Sequence, residues 1–356
     1  MKKYFLLDFN INYLLRNITY PTGGASVQSL NWIYGLSKCG YKAIIISSFQ
    51  FKSDEVIVER ININSTRSFK YLRIFVLYFI LLKKHSPEFI YISTPDWSHL
   101  FVNIIAKCLK IKVIQRISND YLVDSRAKKR FGYFKYMLFD FHLRLSNLIL
   151  CQNIYQFENI KRSYRKVNVE IIYNPYRYSR INSFQQHRSY IAWVGIFQYQ
   201  KNLPELVRVA KDLPHLSFRV AGACSSSIDE ETRCAFYELK KLKNVKLVGL
   251  IARDEVNQFL SNAICLLNTS RYEGFSNTFL ESFSAHTPVV TRKVIDPDGI
   301  IQRYSLGLVV NEYSELSNAI TELTSNKIYQ SDNYEKYLLL HHNPEMLAHR
   351  LLKILI

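Results

Sequence analysis

The chain predicts two doubly wound α/β domains joined near residue 180, on three observations. Short β-branched runs alternate with longer stretches of helical period, the pattern of a mostly parallel sheet covered by helices. The alternation stops once, from Asn174 to Arg188, where a proline and many polar residues show no periodicity, and then begins afresh. The length of 356 residues suits two domains at roughly 150 residues each. The expected division is 1–178, 179–342 and a closing segment 343–356.

In the first block, strands are expected over 4–8, 43–47, 89–93, 113–116, 148–151 and 170–173, all short apolar runs of buried-strand length. The spacing predicts helices over 26–37, 72–83, 98–109 and 130–146, the last of them basic and aromatic. The second block gives strands over 190–194, 217–221, 245–248, 264–268, 288–291 and 307–309. Helices are expected between them at 203–212, 230–241, 253–261, 278–285 and 315–324. A final helix over 345–355 places Met346, Leu347, Leu351, Leu352 and Leu355 at helical spacing. No internal repeat or low-complexity tract interrupts the pattern.

Hydrophobic residues make up 48% and charged residues 21%, a balance that excludes both a disordered chain and a polytopic membrane protein. The net charge of +18 is uneven: residues 1–178 hold 27 Lys and Arg against 11 Asp and Glu, whereas 179–356 hold 20 against 18. That asymmetry points to an acidic partner, either anionic lipid, nucleic acid or a phosphorylated substrate; a basic composition kept for solubility is the alternative. No RRM, KH or zinc motif is visible, so nucleic acid is not the expected partner. The basic, aromatic segment 126–136 suits an anionic membrane surface with its rings at the interface, or a solvated helix packed by its aromatics.

Six cysteines (Cys39, Cys108, Cys151, Cys224, Cys234, Cys265) form no C-x-x-C pair, so neither a disulfide framework nor a zinc site is expected. They read as buried thiols of a reducing compartment, and the expected location is cytoplasmic, peripheral on the inner face of the membrane. At the N-terminus Asp8 interrupts the apolar run and no small-residue cleavage site follows, so a first strand is expected there and not a signal peptide. The most apolar run, 74–82, is half a membrane span.

Chemistry concentrates in the run NTSRYEGFSNTFLE over 268–281. A strand ends near Asn268, a loop carries Gly274 and Ser276, and a helix opens at Asn277 or Thr278. Such a helix N-terminus offers unpaired N–H groups and a positive dipole end to a phosphate; ordinary capping by Ser276 or Asn277 would use the same residues. Glu273 and Glu281 on one helix would stand about 12 Å apart along the axis and roughly 80° apart around it, too splayed for an acid/base pair. With Glu273 in the loop, the two carboxylates take different roles.

The Glu273-x7-Glu281 spacing within this run resembles the signature of glycosyltransferase family four, retaining nucleotide-sugar transferases of the GT-B fold. Trp193-Val-Gly195, Lys201-Asn202, Val220-Ala-Gly222 and the run 244–249 agree, and 21–26 resembles the family's glycine-rich loop. Tyr173-Asn174-Pro175 resembles its inter-domain linker. The resemblance implies two Rossmann-like domains facing a cleft, an N-terminal acceptor side, a C-terminal nucleotide-sugar side, and a last helix crossing back to the N-domain. It implies that Glu281 binds the donor ribose and Glu273 lies against the transferred sugar. Gly195 and the backbone of Gly274, Phe275, Ser276, Asn277 and Thr278 would hold sugar and diphosphate, and Lys201 would neutralise the leaving diphosphate without a metal. Gly23 and Gly24 would contact donor and acceptor, or serve only a tight turn. Asp120 matches a catalytic position after the fourth strand of the N-domain. Retention would proceed by front-face attack assisted by the leaving phosphate.

Two positions depart from the family pattern. Ile196 stands where most members carry an Arg, with Arg271, Arg292 or an N-domain residue as the candidate substitutes, and Asn119 stands where a His often precedes the Asp. His99 is either a replacement active-site group or a packing residue. The function expected is transfer of a hexose-type sugar from a nucleotide-diphosphate sugar, with no bound cofactor, to a saccharide or lipid-linked saccharide hydroxyl in bacterial surface polysaccharide or lipopolysaccharide assembly. The alternatives are a nucleotide-sugar epimerase or hydrolase, and a noncatalytic subunit of a transferase complex.

Overall fold

The computed structural model describes residues 1–8, 10–16, 18, 23–49, 51–60, 70–178, 188–225, 227–326 and 333–355. The chain divides into two compact units, one of Met1–Ile18, Gly24–Pro175 and Asn343–Ile356, and a second dominated by Tyr176–His342. Most of the linker expected around 180 lies outside the described residues.

The first unit holds seven strands: β1 (Lys2–Leu7), β2 (Tyr41–Ser47), β3 (Val56–Arg60), β4 (Phe89–Ile92), β5 (Lys112–Arg116), β6 (Leu148–Cys151) and β7 (Asn168–Ile171). They form one sheet in the order β3-β2-β1-β4-β5-β6-β7, every pair parallel. Its helices are α1 (Ile11–Leu15), α2 (Gly23–Lys38), α3 (Lys70–His85), α4 (His99–Cys108), α5 (Ser125–Phe131), α6 (Tyr133–Leu145) and α7 (Ile154–Ser163). The second unit repeats the plan with β8 (Tyr190–Val194), β9 (Phe218–Ala221), β10 (Val245–Gly249), β11 (Ala263–Leu267), β12 (Val289–Arg292) and β13 (Gly307–Val310). Their order is β10-β9-β8-β11-β12-β13, again all parallel. Around them lie α8 (Leu203–Asp212), α9 (Glu230–Leu239), α10 (Val256–Ser261), α11 (Asn277–Ser284), α12 (Ile300–Arg303), α13 (Leu316–Asn326) and α14 (Asn333–His341).

These are two Rossmann-like units, as the alternating pattern predicts. Central strands are apolar throughout because helices cover both faces, so β4 and β6 are buried at every position. The strand order reverses between β1 and β4 in the first unit and between β8 and β11 in the second. Ligands of such sheets bind outside the carboxyl ends of the strands at that reversal. The last helix, α15 (Pro344–Leu355), buries Leu347, Ala348 and Leu351 in the first unit's core beside Tyr4, Trp32 and Leu36.

Four expectations need correction. The single helix over 130–146 is two, α5 and α6, because Gly132 at φ 75°, ψ 163° lies in a region that residues with a Cβ avoid. The helix over 253–261 begins as a 3-10 turn and becomes α-helical only at Val256. The strand over 170–173 lies two residues earlier, as β7, and the edge strand β3 was not expected. Of the six thiols, all free, only Cys151 and Cys265 are buried; Cys108 ends α4 at the surface, and Cys224 and Cys234 are also exposed. Burial pushes the Cys151 thiol up to about 12. Among the described residues no helix is long and apolar enough to cross a membrane, and no three His, Cys, Asp or Glu side chains are grouped to hold a metal ion.

Candidate active site

In the second unit, the loops leaving β8 and β11 converge at the point of strand-order reversal. The turn Tyr199–Lys201 follows β8, and Asn202 in the left-handed conformation redirects the chain into α8. The loop after β11 carries Thr269, Ser270 and Glu273 to meet it. Trp193 Nε1 donates to Thr269 Oγ1 (3.1 Å), and Thr269 Oγ1 donates to the Lys201 carbonyl (2.8 Å), which locks the two loops together. The Arg271 N–H donates to the Gln200 carbonyl at 2.8 Å.

On that frame Lys201 Nζ lies 2.6 Å from Glu273 Oε1, with the side chains 15% and 9% exposed. Ser270 Oγ donates to the same oxygen (2.6 Å), and Gln200 Nε2 donates to Oε2 (3.0 Å) and to the Tyr272 carbonyl (3.0 Å). Each Glu273 oxygen thus has a donor, and the buried carboxylate is held in one orientation. Gln200 and Ser270 were not singled out from the sequence. Their signal was position: one precedes Lys201, and the other stands three residues before Glu273.

Gly222 closes the floor. A Cβ there would lie 1.9 Å from the Gly195 carbonyl oxygen, so only glycine lets the ends of β8 and β9 approach this closely. A Cβ on Gly195 would meet the Trp193 ring at 3.1 Å and the Lys201 stem at 3.5 Å.

Helix α11 starts directly after this loop. Ser276, its N-cap, makes no side-chain bond to the helix backbone and instead shares a hydroxyl contact of 2.8 Å with Thr278. Phe275 is buried, its ring 5.2 Å from that of His342, which anchors the stretch Gly274–Thr278. Glu281 follows within α11, and its carboxylate has no hydrogen-bond or ion-pair partner among the described residues. Burial raises its pKa, opposed by the charges of Arg253 and Lys201. A carboxylate left without a protein donor at the carboxyl edge of a Rossmann sheet is ready to accept hydroxyls from a ligand.

Ile196 is partly exposed in the loop after β8. Both second-unit cations expected to compensate hold protein partners. Arg271 NH2 contacts Glu231 (2.5 Å) and Asn202 (3.0 Å) with its plane over Tyr199, and Arg292 lies over the Tyr313 ring and donates to its hydroxyl at 2.8 Å.

The remaining expected residues lie in the first unit, except Gly23. Asp120 opens a 3-10 turn and accepts from Asn153 Nδ2 (3.0 Å) and Gln156 Nε2 (2.8 Å) at the start of α7. His99 is buried, accepts the Asp96 N–H through Nδ1 (3.1 Å), and is lowered to about 4 by burial, so it is a neutral packing residue at neutral pH. Gly23 and Gly24 begin α2, Gly23 at φ 75°, and Pro21 and Thr22 of that loop lie outside the described residues. At the end of β1, Asp8 accepts from Ser26 (2.8 Å) and Ser29 (2.7 Å) of α2. Asn174 of the expected linker motif is buried against the guanidinium of Arg116, which also donates to Gln28 Oε1 at 2.8 Å.

Two Rossmann-like units, with a Lys–Glu pair and an open carboxylate at the second sheet's reversal point, define a GT-B protein. Residues 177–339 match the family described as glycosyl transferases group 1, and residues 18–153 match glycosyl transferase 4-like. The chain belongs to the group 1 glycosyltransferases. Its fold is similar to that of sucrose-phosphate synthase (tll1590) from Thermosynechococcus elongatus, at 14% identity and TM-score 0.82 over 99% of this chain and 98% of that one. It is also similar to Anabaena Alr3699/HepE in complex with UDP-glucose, at 14% identity and TM-score 0.76 over 100% and 99% of the two chains. WaaG, a glycosyltransferase involved in lipopolysaccharide biosynthesis, matches at 14% identity and TM-score 0.71 over 99% of each chain.

Proposed function

We propose that this protein is a retaining glycosyltransferase that moves a hexose-type sugar from a nucleotide-diphosphate sugar to a saccharide hydroxyl, in the assembly of a bacterial surface polysaccharide or lipopolysaccharide. The observation that carries the reading is the 2.6 Å Lys201–Glu273 pair set beside a Glu281 carboxylate that has no partner among the described residues, at the reversal point of the second sheet. The donor binds the second unit, with Glu281 accepting the ribose hydroxyls and the Gly274–Thr278 backbone receiving sugar hydroxyls and diphosphate at the start of α11. Lys201 meets the charge that builds on the departing diphosphate, and Glu273 orients the sugar while fixing Lys201. The acceptor hydroxyl attacks the anomeric carbon on the face the diphosphate leaves, passing its proton to a diphosphate oxygen, so no protein nucleophile and no metal is required.

A uridine-linked donor is the first to test, since a structure similar in fold over the full chain is a complex with UDP-glucose. The basic first unit suits an acceptor carried on an anionic lipid, at the cytoplasmic face of the membrane. Asp120, Gly23, Gly24 and Gly195 stay in the proposal as acceptor- and donor-contact positions.

The second reading is a noncatalytic subunit of a transferase complex, favoured by Ile196 together with the protein partners that Arg271 and Arg292 already hold. Incubation with UDP-glucose and membrane-derived saccharides separates the two. Acceptor-dependent release of UDP with an α-linked product supports the transferase; nucleotide binding without turnover across acceptors supports the subunit.

A further inference from the structure

Helices α3, α4 and α6 each connect parallel strands of the first sheet, so they run parallel to one another, and α4 packs against both of its neighbours. Each turns large apolar side chains outward: Phe79 and Ile80, Phe101 and Ile104, Phe134 and Phe141. Tyr133 and Phe134 are 73% and 66% exposed. Toward the helices' C-terminal ends, exposed Lys83, Lys107 and Lys110 follow this apolar band, and Lys128, Lys129 and Arg130 of α5 flank its other side. The four helices carry eleven Lys and Arg against one carboxylate, Asp140, which is committed to Arg144 and Tyr164. Between the ends of α4 and α6 a hollow of about 360 Å³ is lined by Lys107, Lys110, Lys112 and Arg144 with Asn103 and Asn147.

We propose that the α3–α4–α6 face is a docking surface for a bilayer leaflet rich in anionic phospholipid. The aromatic band enters the interface, the flanking cations meet the headgroups, and the hollow takes a headgroup phosphate. The charge pattern selects this occupant: a second copy of the face would bring almost no carboxylate to meet the cations. The sequence pointed only to the stretch around α5 and α6; α3 and α4 join it through packing. The proposal rests on the peripheral-membrane reading above and is independent of the donor site.

The test is flotation of the full chain with phosphatidylcholine vesicles, with and without phosphatidylglycerol. Wild type, Phe134→Ser/Phe141→Ser and Lys107→Gln/Lys110→Gln are compared after checking that thermal unfolding is unchanged. Wild type should float with the anionic vesicles only. The apolar pair should lose partition by roughly ten-fold, and the lysine pair by roughly five-fold for each cation removed. Absence of binding to anionic vesicles, or variants that float like wild type, would overturn the proposal. So would a wild-type dimer in solution that the phenylalanine changes dissociate, since a second copy would then cover the face. Titration of the same preparations with UDP-glucose reports separately on the donor site: binding of donor without vesicles sinks the face alone, and binding of vesicles without donor sinks the donor reading alone.

Discussion

Lys201 and Glu273 lie 72 residues apart in sequence and 2.6 Å apart in space, joined across the two loops that leave β8 and β11. The pair is more than a charge contact, because Ser270 and Gln200 also donate to the carboxylate. Glu273 therefore keeps two donors if the lysine is removed, which limits the penalty of stranding a buried charge.

Lys201→Ala should lower kcat by about 10²–10³-fold, the range found when one donor to a developing charge is deleted. Its unfolding transition should stay close to wild type. Glu273→Gln should leave nucleotide binding intact and reduce transfer. Steady-state kinetics beside thermal melts decide this, and unchanged transfer in Lys201→Ala contradicts the assigned role.

Glu281 acts on a different step. Its carboxylate has no partner to lose among the described residues, so Glu281→Ala should not destabilise the fold and should weaken nucleotide binding by about 1.5–3 kcal/mol, the worth of hydrogen bonds to a charged group. Calorimetry with UDP measures it directly. A destabilised fold with unchanged affinity would assign Glu281 to structure.

Gly222→Ala should damage both the fold of the second unit and its donor site. Its Cβ would fall 1.9 Å from the Gly195 carbonyl oxygen, backbone against backbone, so β8 and β9 must separate at the site. A loss of at least ~2 kcal/mol in urea unfolding, with donor binding impaired, is expected.

Acid stability carries two opposed contributions. His99, lowered to about 4 by burial, favours the folded state when neutral, so its stabilisation is complete above about pH 6.5 and is lost as pH falls toward 4. Asp296, raised to about 6 mainly by burial, does the reverse: the folded state binds its proton more tightly, and stability falls as pH rises from about 4 to 6. His99→Gln should therefore reduce acid lability, and Asp296→Asn should remove the loss on going to neutral pH, each by about 2–3 kcal/mol. Urea midpoints for both variants at pH 4.5 and 7 provide the check.

Most strands were legible because buried parallel strands are short continuous apolar runs, and β6 and β8 coincide with theirs to the residue. The loop from Asn268 to Glu281 was legible through its spacing and its position before a helix. Edge strand β3 was not, since five residues ending in Glu59 and Arg60 carry too weak a pattern. Helix α7 escaped because its start is set by the Asn153 side chain capping the Gln156 N–H, a local bond with little hydrophobic signal. The break at Gly132 was readable in principle, yet the run of aromatics around it fits one helix equally well. Which apolar residues of α3 and α4 stay outside depends on the neighbouring helices, so the exposure of Phe79 and Phe101 is not legible in the helical spacing alone.

Isothermal titration with UDP, GDP, ADP and CMP and their common sugars, wild type beside Glu281→Ala, tests the central claim most directly. The account predicts that one nucleotide-sugar class binds wild type and binds the variant at least about ten-fold more weakly. Failure of every nucleotide to bind a folded wild-type protein would contradict it, and would leave Ile196 as the mark of a chain that keeps the transferase fold without the donor.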